Sequence, residues 1–160
     1  DRCPEAESHA AAAIELAPSR ALLRVQQAVC RVRSGESRAA LQGLSAARID
    51  FPADASIADA LARVLAAAPD AAVRDPQAAV TLIAPLAQEA KAGIDVLETM
   101  AMALASADRF AEAISYQERA LAAAEDRPAW RSALAANLDR YRQGLPAAAP
   151  WPDFLYQPEH

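Results

Sequence analysis

The sequence predicts an all-α fold of stacked antiparallel helix hairpins, and three observations carry that expectation. Residues recur at a spacing of 34: Ala6, Ala13 and Pro18 return as Ala40, Ala47 and Pro52, Ala28 returns as Ala62, and Ala79 as Ala113. A fixed period of this length marks stacked supersecondary units rather than one closed fold. The 160 residues are 54% apolar but only 5% aromatic, and Ala supplies much of the apolar share. Ala is the strongest helix former, while the β-branched and aromatic residues that favour strands are scarce. The four Gly and eleven Pro fall mostly in short breaks between apolar stretches. Ala buries little area per residue, so a core of this kind depends on close helix–helix approach.

About eight helices follow from the punctuation. The first opens at Cys3-Pro4-Glu5, with Pro in the first turn where its missing N–H is harmless, and ends at Ala17-Pro18. The second is expected from Ser19 to Arg33, stopped by Ser34-Gly35, and the third from Ser37 to Ile49, closed by Phe51-Pro52. The fourth spans Ala55 to Ala68, ahead of Pro69-Asp70. The fifth begins at Asp75-Pro76, an N-cap followed by Pro at the first helical position, and carries Pro85 inside, where a kink or break is expected. The sixth covers Ile94 to Ser106 and the seventh Phe110 to Ala124. The eighth opens at Asp126-Arg127-Pro128 and closes at Gly144-Leu145-Pro146, a terminal Gly with Pro behind it.

In register, these helices resemble the tetratricopeptide repeat, a helix–turn–helix unit of 34 residues. The best copy is Ile94 to Arg127, with Leu97, Met100, Ala101 and Leu104 on its first helix and Phe110, Ala113, Ile114, Ala120 and Leu121 on its second. A second copy spans Ala21 to Asp54 through Gly35, Ala40, Leu41, Leu44, Ala47 and Pro52. Between them Leu61, Ala62 and Leu65 match a first helix and Ala79, Val80 and Ile83 a second. That middle copy is longer, because Ala62 and Ala101 stand 39 apart; the surplus belongs in the Ala67–Pro76 loop, where insertion is least disruptive. The opening helix matches only the second half of a repeat, so the chain is expected to start mid-repeat.

The resemblance implies a right-handed α-solenoid: a half repeat at 1–20, repeats at 21–54, 55–93 and 94–127, a capping helix at 128–144 and a tail at 145–160. Within each hairpin Ala28, Ala62 and Ala101 should face Ala40, Ala79 and Ala113, since only small side chains let two helices approach closely. A chance match by an Ala-rich bundle is the alternative.

Family position also implies a binding groove lined by the first helices. It would present Leu22, Val25, Val29 and Val32, then Asp59 and Arg63, then Asp95, Glu98 and Met102, a mixed surface suited to a peptide. Met on a helix serves equally as core. The copy from Ala21 departs from the pattern, with Arg24, Gln27 and Arg31 where apolar residues usually stand. Either that helix is rotated by about one residue, or its Leu22–Val25–Val29–Val32 stripe points into the groove and binds a partner.

Cys3 and Cys30 are the only cysteines and are nearly equidistant in sequence from the expected Ala17-Pro18 turn, so they should sit side by side at the open end of the first hairpin. A disulfide there implies an oxidising compartment, periplasmic or otherwise extracytoplasmic; two buried thiols are the alternative. His9 and His160 have no second ligand at metal spacing, and no phosphate loop, nucleophile elbow or Ser/His/Asp set appears, so no metal, cofactor or catalytic site is expected. The one-turn pair Asp95 and Glu98 reads as well as a solvated face. Arg20, Arg24, Arg31, Arg33, Arg38 and Arg48 make the second and third helices locally basic, either a solvated face or a dock for an acidic segment. The net charge of −5 argues against non-specific nucleic-acid binding, and no run of 18 apolar residues suggests a membrane span.

Seven of the eight aromatics lie at or beyond residue 110, and Trp151, Phe154 and Tyr156 sit in the Pro-rich tail. That tail is expected either to bury its aromatics on the last helices or to serve as a linear motif for another protein. Taken together, the sequence points to a non-enzymatic scaffold that binds a protein or peptide segment in its groove. The alternative is an accessory, positioning region of a larger enzyme or of a secretion or assembly component, and a small helical enzyme is the third reading. Ala- and Arg-rich usage suggests a bacterial origin.

Overall fold

A computed structural model describes residues 21–152. Among them are seven α-helices, one 3-10 turn and no strand: α1 Ala21–Arg33, α2 Ser37–Asp50, α3 Ala55–Ala67, the 3-10 turn Ala71–Val73, α4 Pro76–Ala87, α5 Ile94–Ser106, α6 Phe110–Ala123 and α7 Pro128–Arg142. The all-α expectation holds, and the helix ends fall close to the predicted punctuation. The first predicted helix, with Cys3 and His9, lies outside the described residues, as do Phe154, Tyr156 and His160.

Short polar residues start several of these helices. Asp54 caps α3 by accepting from the main-chain N–H groups of Ser56 at 2.9 Å and Ile57 at 3.2 Å. Asp75 caps α4 by accepting from Ala78 at 2.9 Å, with Pro76 as the first helical residue. Three helices stop through the same two hydrogen bonds, which require a left-handed residue just past the end. After α1, Gly35 (φ 83°) bonds back to Val32 and Glu36 to Arg31. After α7, Gly144 (φ 70°) bonds to Tyr141 and Leu145 to Arg140. After α5 the left-handed residue is Asp108 (φ 59°), with Asp108 bonded to Ala105 and Arg109 to Leu104.

One local expectation, the break at Pro85, is corrected. Pro85 neither breaks nor ends its helix, because α4 runs on to Ala87 and Pro85 sits exposed in the last turn, where little helix remains to disrupt. The connection between α3 and α4 lies between Ala67 and Pro76 and is held at several points. Asp70 caps the 3-10 turn through Ala72, Val73 is buried in the core, and Asp75 donates to the Leu65 carbonyl at 2.9 Å.

Each helix packs on the next in sequence, and α3 also packs on α1 and on α5. Helices α1, α3 and α5 therefore form one row beside α2, α4 and α6; α7 packs on α6 and joins the odd row through the contact of Asn137 with Glu98. The six alanines predicted at the crossings are all buried, and each pair shares one apolar cluster: Ala28 with Ala40, Ala62 with Ala79, Ala101 with Ala113. The even helices bury one stripe each. In contrast α5 buries every residue from Leu97 to Ala105, and α3 nearly every residue from Ile57 to Ala67. A helix buried all round is covered on all sides. Part of that cover is the segment after α7.

Candidate functional site

The odd row meets around Arg63, a residue only 1% exposed. Its position on α3 places Asp59 one turn back, and Arg63 Nε donates to Asp59 Oδ2 at 3.1 Å. Arg63 Nη2 reaches α5, donating to Glu98 Oε2 and to the main-chain carbonyl of Asp95, each at 2.9 Å. The same carbonyl accepts from Thr99 Oγ1 at 2.8 Å. From α7, Asn137 Nδ2 approaches Glu98 Oε1 at 3.4 Å. The remaining nitrogen, Nη1, donates to the carbonyl of Pro150 at 3.0 Å, in the segment after α7.

Burial opposes the charge on Arg63, but Asp59 and Glu98 more than offset it, so its pKa ends above the ordinary value and the guanidinium stays cationic. Two carboxylates face one cation, and Asp59 keeps a small solvent-exposed edge. Tyr141, on α7, is buried beside this group. Desolvation first, and then the Glu98 carboxylate, raise its pKa, so its hydroxyl remains protonated. Neither that hydroxyl nor Asp59 Oδ1 has a hydrogen-bond partner among the described residues.

From Gly144 the chain turns back across the odd row. Arg140 Nε donates to the Pro146 carbonyl at 2.7 Å, Ala147 packs against the α3–α6 cluster, and Pro150 is buried at Arg63. Trp151 then enters the other large cluster, with Ala28, Val32, Leu44, Ile57, Leu61 and Val64 of α1, α2 and α3. The segment contains no regular structure, as its prolines require.

Of the residues assigned to an open groove, Arg63, Glu98 and Met102 are buried, and Asp59 nearly so. They line a row that the chain itself covers, so as an open surface the groove expectation is corrected. Asp95 alone of the charged set is exposed at its side chain. Val25 and Val29 are half-buried against the α1–α3 cluster and Val32 is buried, while Leu22 is exposed. Three of the four stripe residues thus belong to the apolar cluster that also receives Trp151. Arg24, Gln27 and Arg31 line a 280 Å³ cavity between α1 and α2, with Gly43 and Asp50. Arg48 lines a different cavity, with Asp75 and Thr81. Cys30 is half-buried on α1, and its proposed disulfide partner Cys3 lies outside the described residues.

Trp151, Pro150, Tyr141 and Asn137 are the site residues that the repeat pattern does not reveal. Trp151 was visible as a tail aromatic, but the sequence sends it to the last helices, whereas it packs on the first three described ones. Chemically the site holds a main-chain carbonyl by a buried cation and an indole by an apolar cluster. Among the described residues no group of three His, Cys, Asp or Glu side chains is placed to hold a metal ion, and no helix is long and apolar enough to cross a membrane. No protein-family model, curated protein or solved structure matches the chain.

Proposed function

We propose that this protein is a non-catalytic helical-repeat scaffold of tetratricopeptide type, whose odd-numbered helices bind an extended peptide or protein segment. The observation that carries the reading is the seat at Arg63: the odd row already holds a non-helical stretch of polypeptide through a main-chain carbonyl and one aromatic side chain. A main-chain contact reads no sequence, and the indole pocket supplies preference, the division of labour expected of a peptide-binding surface. The 34-residue phasing and the alanine-paired hairpins support the repeat assignment.

Random displayed peptides selected in parallel against the full chain and its Trp151→Ala variant test this. The expected result is an enriched aromatic-containing consensus whose binding protects amides of α3 and α5 from hydrogen exchange. Binders that protect only α2, α4 or α6, or no consensus with either form, would overturn the reading.

A further inference from the structure

We infer that the segment from Leu145 to Pro152 is a displaceable occupant of the peptide seat, and that the exchanging partner is an extended peptide with an aromatic side chain and a main-chain N–H where this segment has proline. The inference rests on the peptide-binding reading above and assigns its regulation and ligand chemistry.

The segment is held at few points. Its polar anchors are the Pro146 carbonyl at Arg140 and the Pro150 carbonyl at Arg63, and between them Ala148 and Ala149 are exposed with no polar side chain to fix them. Leu145, at the start, is 44% exposed. Only Pro150 and Trp151 are buried. One buried aromatic, two carbonyl contacts and the packing of Ala147 are the manner of a bound peptide rather than of a helix packed in a core.

The seat is also incompletely satisfied by what fills it. Asp59 Oδ1 is buried without a donor, one side chain away from the Pro150 carbonyl through Arg63. The occupant cannot supply that donor from Pro146, Pro150 or Pro152, because proline has no N–H. A competing peptide with ordinary residues in place of Pro150 and Pro152 carries two main-chain donors that this segment lacks. An unsatisfied buried acceptor is unfavourable, so an incoming segment that supplies its donor gains what the resident one does not. The resident's advantage is tethering: a short linker gives an effective concentration on the order of millimolar, which a free peptide must exceed unless it binds better.

The experiment uses the full chain and two fluorescein-labelled peptides, one with the sequence of residues 145–157 and one with Ala in place of Pro150 and Pro152. Displacement predicts that Trp151→Ala, by removing the resident's anchor, binds both peptides at least tenfold tighter than wild type, and that the Ala-substituted peptide is the tighter of the two. Equal binding by wild type and variant overturns the displacement and leaves the peptide-binding reading intact. No binding by a folded variant overturns the inference, while the displayed-library selection decides the parent reading separately. Should Trp151→Ala fail to fold, the wild-type segment is followed directly. In a Trp130→Phe chain carrying 5-fluorotryptophan, Trp151 is the sole fluorine reporter. A second, solvent-like resonance growing with unlabelled peptide supports exchange, and a single unchanged resonance up to millimolar peptide overturns it.

Discussion

Arg63 and Glu98 join α3 to α5 by a 2.9 Å ion pair in which both side chains are sealed from solvent, at 2% and 1% exposure. Thirty-five residues separate them in sequence, one repeat plus one residue. The pair fixes how the middle two odd helices sit against each other, and Asn137 extends the contact to α7. Desolvating two charges offsets much of their attraction, so the pair contributes more to register than to net stability.

Removing one partner is another matter. Arg63→Met leaves Glu98 buried and uncompensated and frees the Pro150 carbonyl, and a loss of about 3–5 kcal/mol is expected. The double variant Arg63→Met with Glu98→Leu restores an apolar contact, and its loss should be smaller than that of the single variant. Urea denaturation of the four forms checks this cycle. A double variant worse than the single would mean that the carboxylate has another strong partner.

Asp108 is the one non-glycine residue among the described positions with a left-handed backbone. It occupies the place that Gly35 and Gly144 take after α1 and α7, with the same pair of hydrogen bonds. Left-handed geometry is unfavourable for a side-chain-bearing residue, though least so for Asp and Asn. Asp108→Gly relieves it at some cost in unfolded-chain entropy, for a net gain of about 0.5–1 kcal/mol by denaturation. An equal loss would show that the Asp108 carboxylate makes a contact that outweighs the strain.

Much of the fold is legible because its signals are local. Asp54, Asp75-Pro76 and Gly144 punctuate the chain with residues whose backbone preferences do not depend on tertiary context, and Ala28, Ala62 and Ala101 keep phase because helix crossings tolerate nothing larger. The site is harder to read. Charged Arg63 and Glu98 look solvent-facing in a pattern of polar and apolar letters, and only a residue 87 positions away in sequence, Pro150, shows that Arg63 is covered. No periodicity encodes where a Pro-rich segment docks. The aromatic letter at Trp151 announces burial without naming the surface that receives it.

Asp54 gives α3 an acid-sensitive start. The Ser56 hydroxyl, opposed by partial desolvation and helped by the Ile57 and Ser56 N–H groups, holds its carboxyl below the ordinary 3.8. A folded value below the unfolded one means the contribution is present above 3.8 and fades as pH falls through the lower folded value. Asp54→Ala should therefore lose about 1 kcal/mol at neutral pH, and less at strongly acid pH. Asp54→Asn should stay within a few tenths of wild type at neutral pH and lack that part of the acid dependence. Thermal or urea melts across the acid range separate the three.

Tyr141 should limit stability at the other end of the pH scale. Burial, and then the Glu98 carboxylate, hold its phenol above the ordinary 10.0, with Arg63 and Arg140 pulling less strongly the other way. Here the folded value exceeds the unfolded one, so the stabilisation is complete below 10.0 and is lost as pH rises from there toward the folded value. Tyr141→Phe cannot ionise and should resist alkaline unfolding better than wild type, a difference that opens near pH 10 and widens above it. At neutral pH the change removes a buried hydroxyl that has no partner, so it should be neutral or stabilising by up to about 1 kcal/mol. Urea denaturation at neutral pH and at about pH 11 measures both effects in one pair of proteins. A neutral-pH loss of about 1 kcal/mol or more would instead identify the hydroxyl as a bonded member of the Arg63 group. In that case Tyr141 would tie α7 to the seat directly, and displacing the Leu145–Pro152 segment would leave the odd row intact behind it.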